Sequence, residues 1–401
     1  MSAPLLDGIT VLDFTRVLAG PYCTRLLADL RARVIKIERP GEGDETRRGY
    51  FQLEEARPDQ ATYFVRVNAG KLSVGVDLSR PEGRAVAHDL ARVADAAIEN
   101  FVPGVAARLG VGAADLHAIN AGLVYCSISG FGQNGPLAGW PAFAHIIGAV
   151  SGMMDLERNG DPAPRVGYLQ AADVLAGTHA FGAILAALVR RGRTGEGATL
   201  DVSMLEALVA AEDVSYGAAL NGGAISPGPR VGMIIGEIKG RHVVTQYVGG
   251  PQLWTRLATV MKRPEITDDP RFATPALRRQ HWAELRALLT DWLSTSFESA
   301  EEALSTLNAA RLPAAPVLSP HEVIAHPHME ARQAFPEIPH PGRGSVRVTA
   351  TPFHVDGSPL RPAGPAPWRI GEHTREVLAK VLGYPPERIE ALRAAGAIAA
   401  P

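Results

Sequence analysis

Asp173 stands at the head of "AADVLAGTHAFGAILAALVRR", a run of small and apolar residues that holds no second acid. An acid in the first turn of a helix accepts hydrogen bonds from unpaired N–H groups and meets the positive end of the helix dipole, so capping alone would explain it. The same contacts favour the ionised carboxylate, and the apolar helix behind it limits hydration, which would prepare the group for nucleophilic attack. Capping and catalysis can coexist, and this stretch by itself leaves both readings open.

Basic residues supply the second candidate chemistry. Arg39, Arg47, Lys71 and Arg108 fall near the ends of predicted strands, where they would line the ligand-binding edge of a parallel sheet and pair with phosphates. The loop "FTRVLAGPYC" has only Gly20 in the turn, so the glycine fingerprint of dinucleotide binding is missing. "GFGQNGP" at 130–136 reads as an ordinary turn. The chain has no Walker loop, no Gly-x-Ser-x-Gly elbow and no histidine pair at metal spacing, which removes most hydrolase and metalloenzyme classes. His145 is a lone histidine in "WPAFAHIIGAVSG" and reads as a core or supporting residue, with a role as a base kept as the alternative.

The elements that must position these groups follow from periodicity. "ITVLDF", "VIKIE", "SVGVDL", "AAIEN", "LVYCSIS" and "ATLDVSML" are short and rich in β-branched residues, and helical patterns separate them. Such alternation predicts an α/β fold with an open, mostly parallel sheet covered by helices. Ser79 and Glu82 have capping-box spacing with Pro81 in the first turn, and one helix is expected near 104–119. Between 225 and 325 the pattern changes to one short strand, "HVVTQYV", and charged amphipathic helices, which suggests a smaller separate domain. Pro and Gly make 336–368 an extended return segment. The expected organisation is a large domain from 1–200 and 330–401, a small one from 225–325, and linkers at 201–224 and 326–340.

With 401 residues, 46% of them hydrophobic, the chain can bury a large core, and 40 basic against 42 acidic residues leave no global field to attract nucleic acid or an anionic membrane. Any anion site must be local. The cysteines, Cys23 and Cys126, are too few and too far apart for a disulfide framework and read as core residues in a reducing cytoplasm. The N-terminus lacks the basic segment of a signal peptide, and the most apolar run is about half the length of a membrane helix, so a cytoplasmic protein without membrane contact is expected.

Taken together, "LDGITVLDFTRVLAGPYCTRLLADL", "VIKIERPGEGDETR", "NAGKLSVGVDLSRPEG", "ENFVPGVAARLG", "YCSISGFGQNGPLAG", "AADVLAGTHAFGAILAAL" and "GEHTREVLAKVLGY" resemble the class III CoA-transferases over nearly the whole chain. The resemblance implies a large Rossmann-like domain built from both chain ends, a smaller α+β domain and an interlocked homodimer. It also implies a CoA-transferase that works on an acyl-CoA and a small carboxylic acid, with coenzyme A as co-substrate and no permanently bound cofactor. The family's nucleophile is the aspartate opening the "AD..AG" helix, here Asp173. For CoA the likeness carries over Val17, Ala19, Arg39, Lys71, Asn100, Phe101 and Arg108. Val102 departs from the arginine of many relatives. Phe143 stands where the racemase branch has its histidine base and cannot take a proton, so the alternative activity, α-epimerisation, would need His145 as the substitute base beside Asp173. Phe143, His145 and Tyr168 would shape the acyl pocket, the loop 221–232 lies near the family's lid, and Arg47, Arg48 or Arg165 could hold the distal carboxylate of a dicarboxylic acid.

Overall fold

The computed structural model describes residues 4–401 except 50, 159–160, 213–214, 226–230 and 248–250. The chain divides into two compact units, one of residues 1–157, 163–226 and 328–401 and one of 158–162 and 227–327.

The larger unit is built on a seven-stranded sheet. Its parallel strands are β1 (Thr10–Asp13), β2 (Arg33–Glu38), β3 (Leu72–Val76), β4 (Ala96–Glu99), β5 (Val124–Ser129) and β6 (Ala198–Ser203). They lie in the order β3-β2-β1-β4-β5-β6, and a short antiparallel strand, Ile398–Ala399, pairs with the outer edge of β3. This is the doubly wound order whose switch point falls between β1 and β4, and ligands bind such sheets beyond the carboxyl ends of the strands at that point. Three of the strands, β1, β4 and β5, are buried along their whole length, as a sheet covered on both faces requires; β3 exposes only Leu72 in part. One apolar layer gathers Leu26, Leu27, Val34, Ile128 and Ile184, and the other gathers Leu12, Ile35, Val74, Leu90 and Leu378. Both cysteines are buried and free.

Five helices matter below: α1 (Ala19–Asp29), α2 (Thr62–Asn68), α3 (Pro81–Val93), α4 (Ala144–Val150) and α5 (Ala171–Thr194). Pro81 begins α3 as expected, but the capping box does not form, because Ser79 Oγ donates to Asp77 at 2.6 Å and Arg80 occupies the cap position. The helix expected over 104–119 is broken into Val105–Arg108 and Ala113–Ile119 by Gly110, whose φ of 71° is left-handed. The segment 201–224, read as a linker, carries the end of β6 and the helices Met204–Val209 and Ser215–Leu220.

In the smaller unit the single strand expected there is one of three. β7 (Met233–Ile238) and β8 (Arg241–Gln246) form a hairpin, and β9 (Ala314–Pro316) pairs with β8. The apolar face of the helix Trp282–Thr295 packs on this sheet through Trp282, Leu285, Leu289 and Leu293. Gly236 makes the approach possible, since a Cβ there would lie 2.8 Å from Leu293.

Candidate active site

Asp173 is the third residue of α5, and the residue in the capping position, Gln170, makes no side-chain cap. The half-buried Asp173 carboxylate faces its own backbone N–H and that of Ala19, the first residue of α1, and both favour its charged form. Two glycines make this meeting of helix starts possible. A Cβ at Gly177 would lie 2.5 Å from the Ala19 carbonyl oxygen, and one at Gly20 would lie 2.3 Å from the Thr15 side chain. The glycine of "ADVLAG" therefore serves close packing of α5 on α1.

The electrostatics differ from the sequence expectation in sign. Burial pushes the Asp173 carboxyl up to about 6, and the two N–H donors and the charge of His145 only partly offset it. Asp173 is thus a carboxylate held in poor solvent, about nine-tenths ionised at pH 7 on that value. His145, half-buried at the start of α4, is close enough to act on it electrostatically. Tyr63 of α2 also faces the site: burial and the Asp173 charge push its phenol up to about 12, and its hydroxyl donates to Gln170 Oε1 at 3.1 Å. Sequence reading missed Tyr63 and Gln170, which sit in no motif and reach Asp173 only through the packing of α2 near α5.

At the switch point the loop after β1 meets the loop after β4. Asn100 spans the crevice, its Oδ1 accepting from the Arg16 N–H at 2.8 Å and its Nδ2 donating to the Arg16 carbonyl at 2.7 Å. The Arg16 guanidinium lies 5.5 Å from the centre of the Phe101 ring. Arg39, just past β2, and Arg108, beyond β4, are exposed, and Arg39 holds a solvent-facing pair with Glu42. Val17 has a φ of 67°, a left-handed conformation that costs a β-branched residue about 1–3 kcal/mol. Val17, Arg39, Asn100, Phe101 and Arg108 all lie beyond the strand ends that flank the crevice.

Three assignments are corrected by burial. Lys71 is 1% exposed and precedes β3, at the opposite strand end from Arg39; its ammonium donates to Asp13 Oδ2, Asn68 Oδ1 and the Pro21 carbonyl. Burial pulls it down to about 8 against the attraction of Asp13, and it has no free donor direction toward a phosphate. Arg47 is equally buried, forked onto Glu38 at 2.7 and 2.8 Å with Phe64 beneath it, so it cannot bind the far end of a dicarboxylate. Ala19 is buried too, with its N–H facing Asp173. In the expected acyl pocket, Phe143 is 66% exposed and Tyr168 wholly exposed. Of the expected lid, residues 226–230 lie outside those described.

CoA-transferase family III matches residues 6–374. The chain is 33% identical to a succinate–glutarate CoA-transferase of Agrobacterium fabrum, over 94% of this chain and 96% of that one. It is 32% identical to the human succinyl-CoA:glutarate CoA-transferase, covering 98% and 90%, and 32% identical to a formyl-CoA:oxalate CoA-transferase of Streptomyces coelicolor, covering 99% and 100%. Among solved structures, Rv3272 of Mycobacterium tuberculosis superposes with a TM-score of 0.81 at 31% identity over 94% of this chain and 99% of that chain. A CAIB/BAIF family protein from Brucella suis gives 0.78 at 31% identity over the same shares.

Proposed function

This chain belongs to CoA-transferase family III and is a CoA-transferase acting on an acyl-CoA and a carboxylic acid, and on that footing we propose that the transfer runs through covalent intermediates on Asp173. A carboxylate oxygen of Asp173 attacks the thioester carbonyl, the C–S bond breaks, and CoA leaves as thiolate from a mixed anhydride. The thiolate attacks the Asp173 carbonyl carbon, releasing the donor acid and leaving an aspartyl-CoA thioester. The acceptor carboxylate attacks that thioester and expels thiolate, which then attacks the acceptor carbonyl of the new anhydride; the products are the new acyl-CoA and free Asp173. Each step conserves acyl-transfer potential, which a serine ester would not.

The single observation that carries this reading is the Asp173 carboxylate, raised to about 6 by burial and facing the Ala19 N–H. Burial makes it less hydrated and more basic, and the same N–H stabilises the oxyanion whenever the Asp173 carbonyl becomes tetrahedral. CoA would lie over the β1–β4 crevice, with Arg39 and Arg108 on its phosphates and Val17, Asn100 and Phe101 along its length. Phe143, His145 and Tyr168 would border the acyl group, and Arg48 and Arg165 remain the basic residues for a second carboxylate. The relatives named above are CoA-transferases, and no observation favours epimerisation over transfer.

An interlocked homodimer fits the surface of the larger unit. The most apolar 18-residue window of α5 is only 33% buried, and Trp140, Phe143, Ile146, Val166 and Leu169 on the segments leading into α4 and α5 or within them are about half exposed or more. A second copy of the chain over this face would exclude the water that hydrolyses an anhydride. The reaction would take place in the cytoplasm, where acyl-CoA is available.

Asp173→Ala tests the mechanism. CoA exchange between succinyl-CoA and glutarate should fall roughly a thousandfold or more, and hydroxylamine should trap label at residue 173 only in the unaltered protein. Substantial transfer by the purified variant would remove the proposal.

A further inference from the structure

We propose that the buried Lys36–Asp44 ion pair is a positioning device, which holds the Thr15–Leu18 loop in its left-handed turn and so aims the Ala19 N–H at Asp173. The inference rests on the reading of Asp173 as nucleophile and adds residues that touch neither CoA nor acyl group.

The loop reaches Gly20 without a glycine at its turning residue, so something other than glycine must fix it. Side chains from neighbouring elements clamp its peptide groups one by one. Thr15 gives its N–H to Asp13 Oδ1 at 2.9 Å, and its carbonyl accepts from Lys36 Nζ at 2.7 Å. Arg16 has both backbone groups on Asn100. The Val17 N–H points to Asp44 Oδ1 at 3.4 Å, and that oxygen also accepts from the Thr46 N–H and hydroxyl at 3.0 and 2.7 Å. Lys36 Nζ then closes the circuit on Asp44 Oδ2 at 3.0 Å, with both side chains fully buried.

Lys36 stands where the sheet itself asks for an apolar residue, since Val34, Ile35 and Ile37 around it are buried aliphatics. Burying a lysine and an aspartate together gains little stability over apolar residues of similar size, so the pair is better explained by the geometry it imposes. Asp44, Asp13 and Glu38 hold the Lys36 ammonium charged against the pull of burial. Releasing the Thr15 carbonyl and the Val17 N–H would let Val17 leave the left-handed region, and the Ala19 N–H would swing away from Asp173.

The experiment compares the full-length protein with Lys36→Met and Asp44→Asn, following single-turnover acylation of Asp173 by succinyl-CoA between pH 5 and 8 with mass spectrometry. Asp173 is also faced by Tyr63 from α2 and His145 from α4, and both stay in place in each variant. The expected result is an acid limb moved up by about one pH unit, because a donor to the charged form is lost. Acylation at pH 7 should slow about tenfold, with KM for succinyl-CoA changed less than about threefold. A role confined to folding would lower the amount of folded protein and leave the limb where it is. Either variant folded with an unshifted limb overturns the proposal. Should neither fold, hydrogen exchange in the native protein decides: the Arg16 and Val17 amides should exchange as slowly as Leu12 in β1, and exchange at surface-loop rates overturns the clamp. Absence of acylation at Asp173 in the unaltered protein would instead defeat the nucleophile reading.

Discussion

The rim of the β1–β4 crevice and the ionic cluster beneath it are made of the same residue types and do opposite work. On the rim, Arg39 and Arg108 stand in solvent, and Arg39 holds a pair with Glu42 in which both side chains are about 60% exposed. Such a pair contributes little and leaves the guanidinium available to an incoming phosphate. Beneath the rim, Lys71, Lys36 and Arg47 meet Asp13, Asp44 and Glu38 with every side chain at 1% exposure or less. Burial alone would push Asp13 up, yet Lys71, Lys36, Thr15 and Thr24 outweigh it and hold the carboxyl down at about 2. Charge at a strand end binds ligand only where water can be displaced from it; enclosed by its partners, the same charge shapes backbone.

Removing one member from each layer should sharpen this contrast. Arg47→Ala strands Glu38 in the interior and should cost about 3–5 kcal/mol in chemical denaturation, whereas a cost below 1 kcal/mol would make the cluster no different from the rim. Gly177→Ala tests the packing that joins the layers to Asp173. Its new Cβ must push α1 away from α5, so acylation should slow about tenfold in a protein that still folds, and an unchanged single-turnover rate would disconnect the helices from the chemistry. Arg108→Ala should leave stability within about 0.5 kcal/mol and raise KM for acyl-CoA several-fold, an effect that shrinks in high salt; a drop in melting temperature with unchanged KM would reverse the assignment.

The smallest effect concerns Asp173 itself. Its carboxyl is raised on folding, so its protonation favours the folded state: that contribution is full below pH 4 and lost as pH rises through about 6. Asp173→Asn should therefore melt higher than the unaltered protein at pH 7.5, with the gap closing by pH 4. An equal gap at both pH values would mean that the carboxylate carries no burial penalty. Transfer should rise from pH 5 to 7 with the ionisation of the same group.

Much of this could be read without coordinates, and the failures share a cause. Five of the parallel strands were legible because the covered part of a sheet demands contiguous apolar runs, β6 by its alternation of exposed and partly buried residues, and Asp173 stood out because an apolar helix with one acid is unusual. β7, "MIIGEI", alternates buried and exposed residues as a half-covered strand should, but it follows a stretch rich in proline and glycine that masks the pattern. Lys71 and Arg47 were read as ligand contacts because a sequence records that a residue is basic and near a strand end, and does not record which way its side chain faces.

Sequence alone determined the alternation of strands and helices and the family likeness, which follow from residue types and their local spacing, and that likeness is what singles out Asp173 as the proposed nucleophile. Tertiary structure alone decided which cations are interior, that Val17 turns left-handed without a glycine, and that Asp173 is raised rather than lowered. Those outcomes depend on desolvation and on partners brought from distant segments, Ala19 and His145 for Asp173 and Asp44 for Lys36, and such terms exist only once the chain has excluded water.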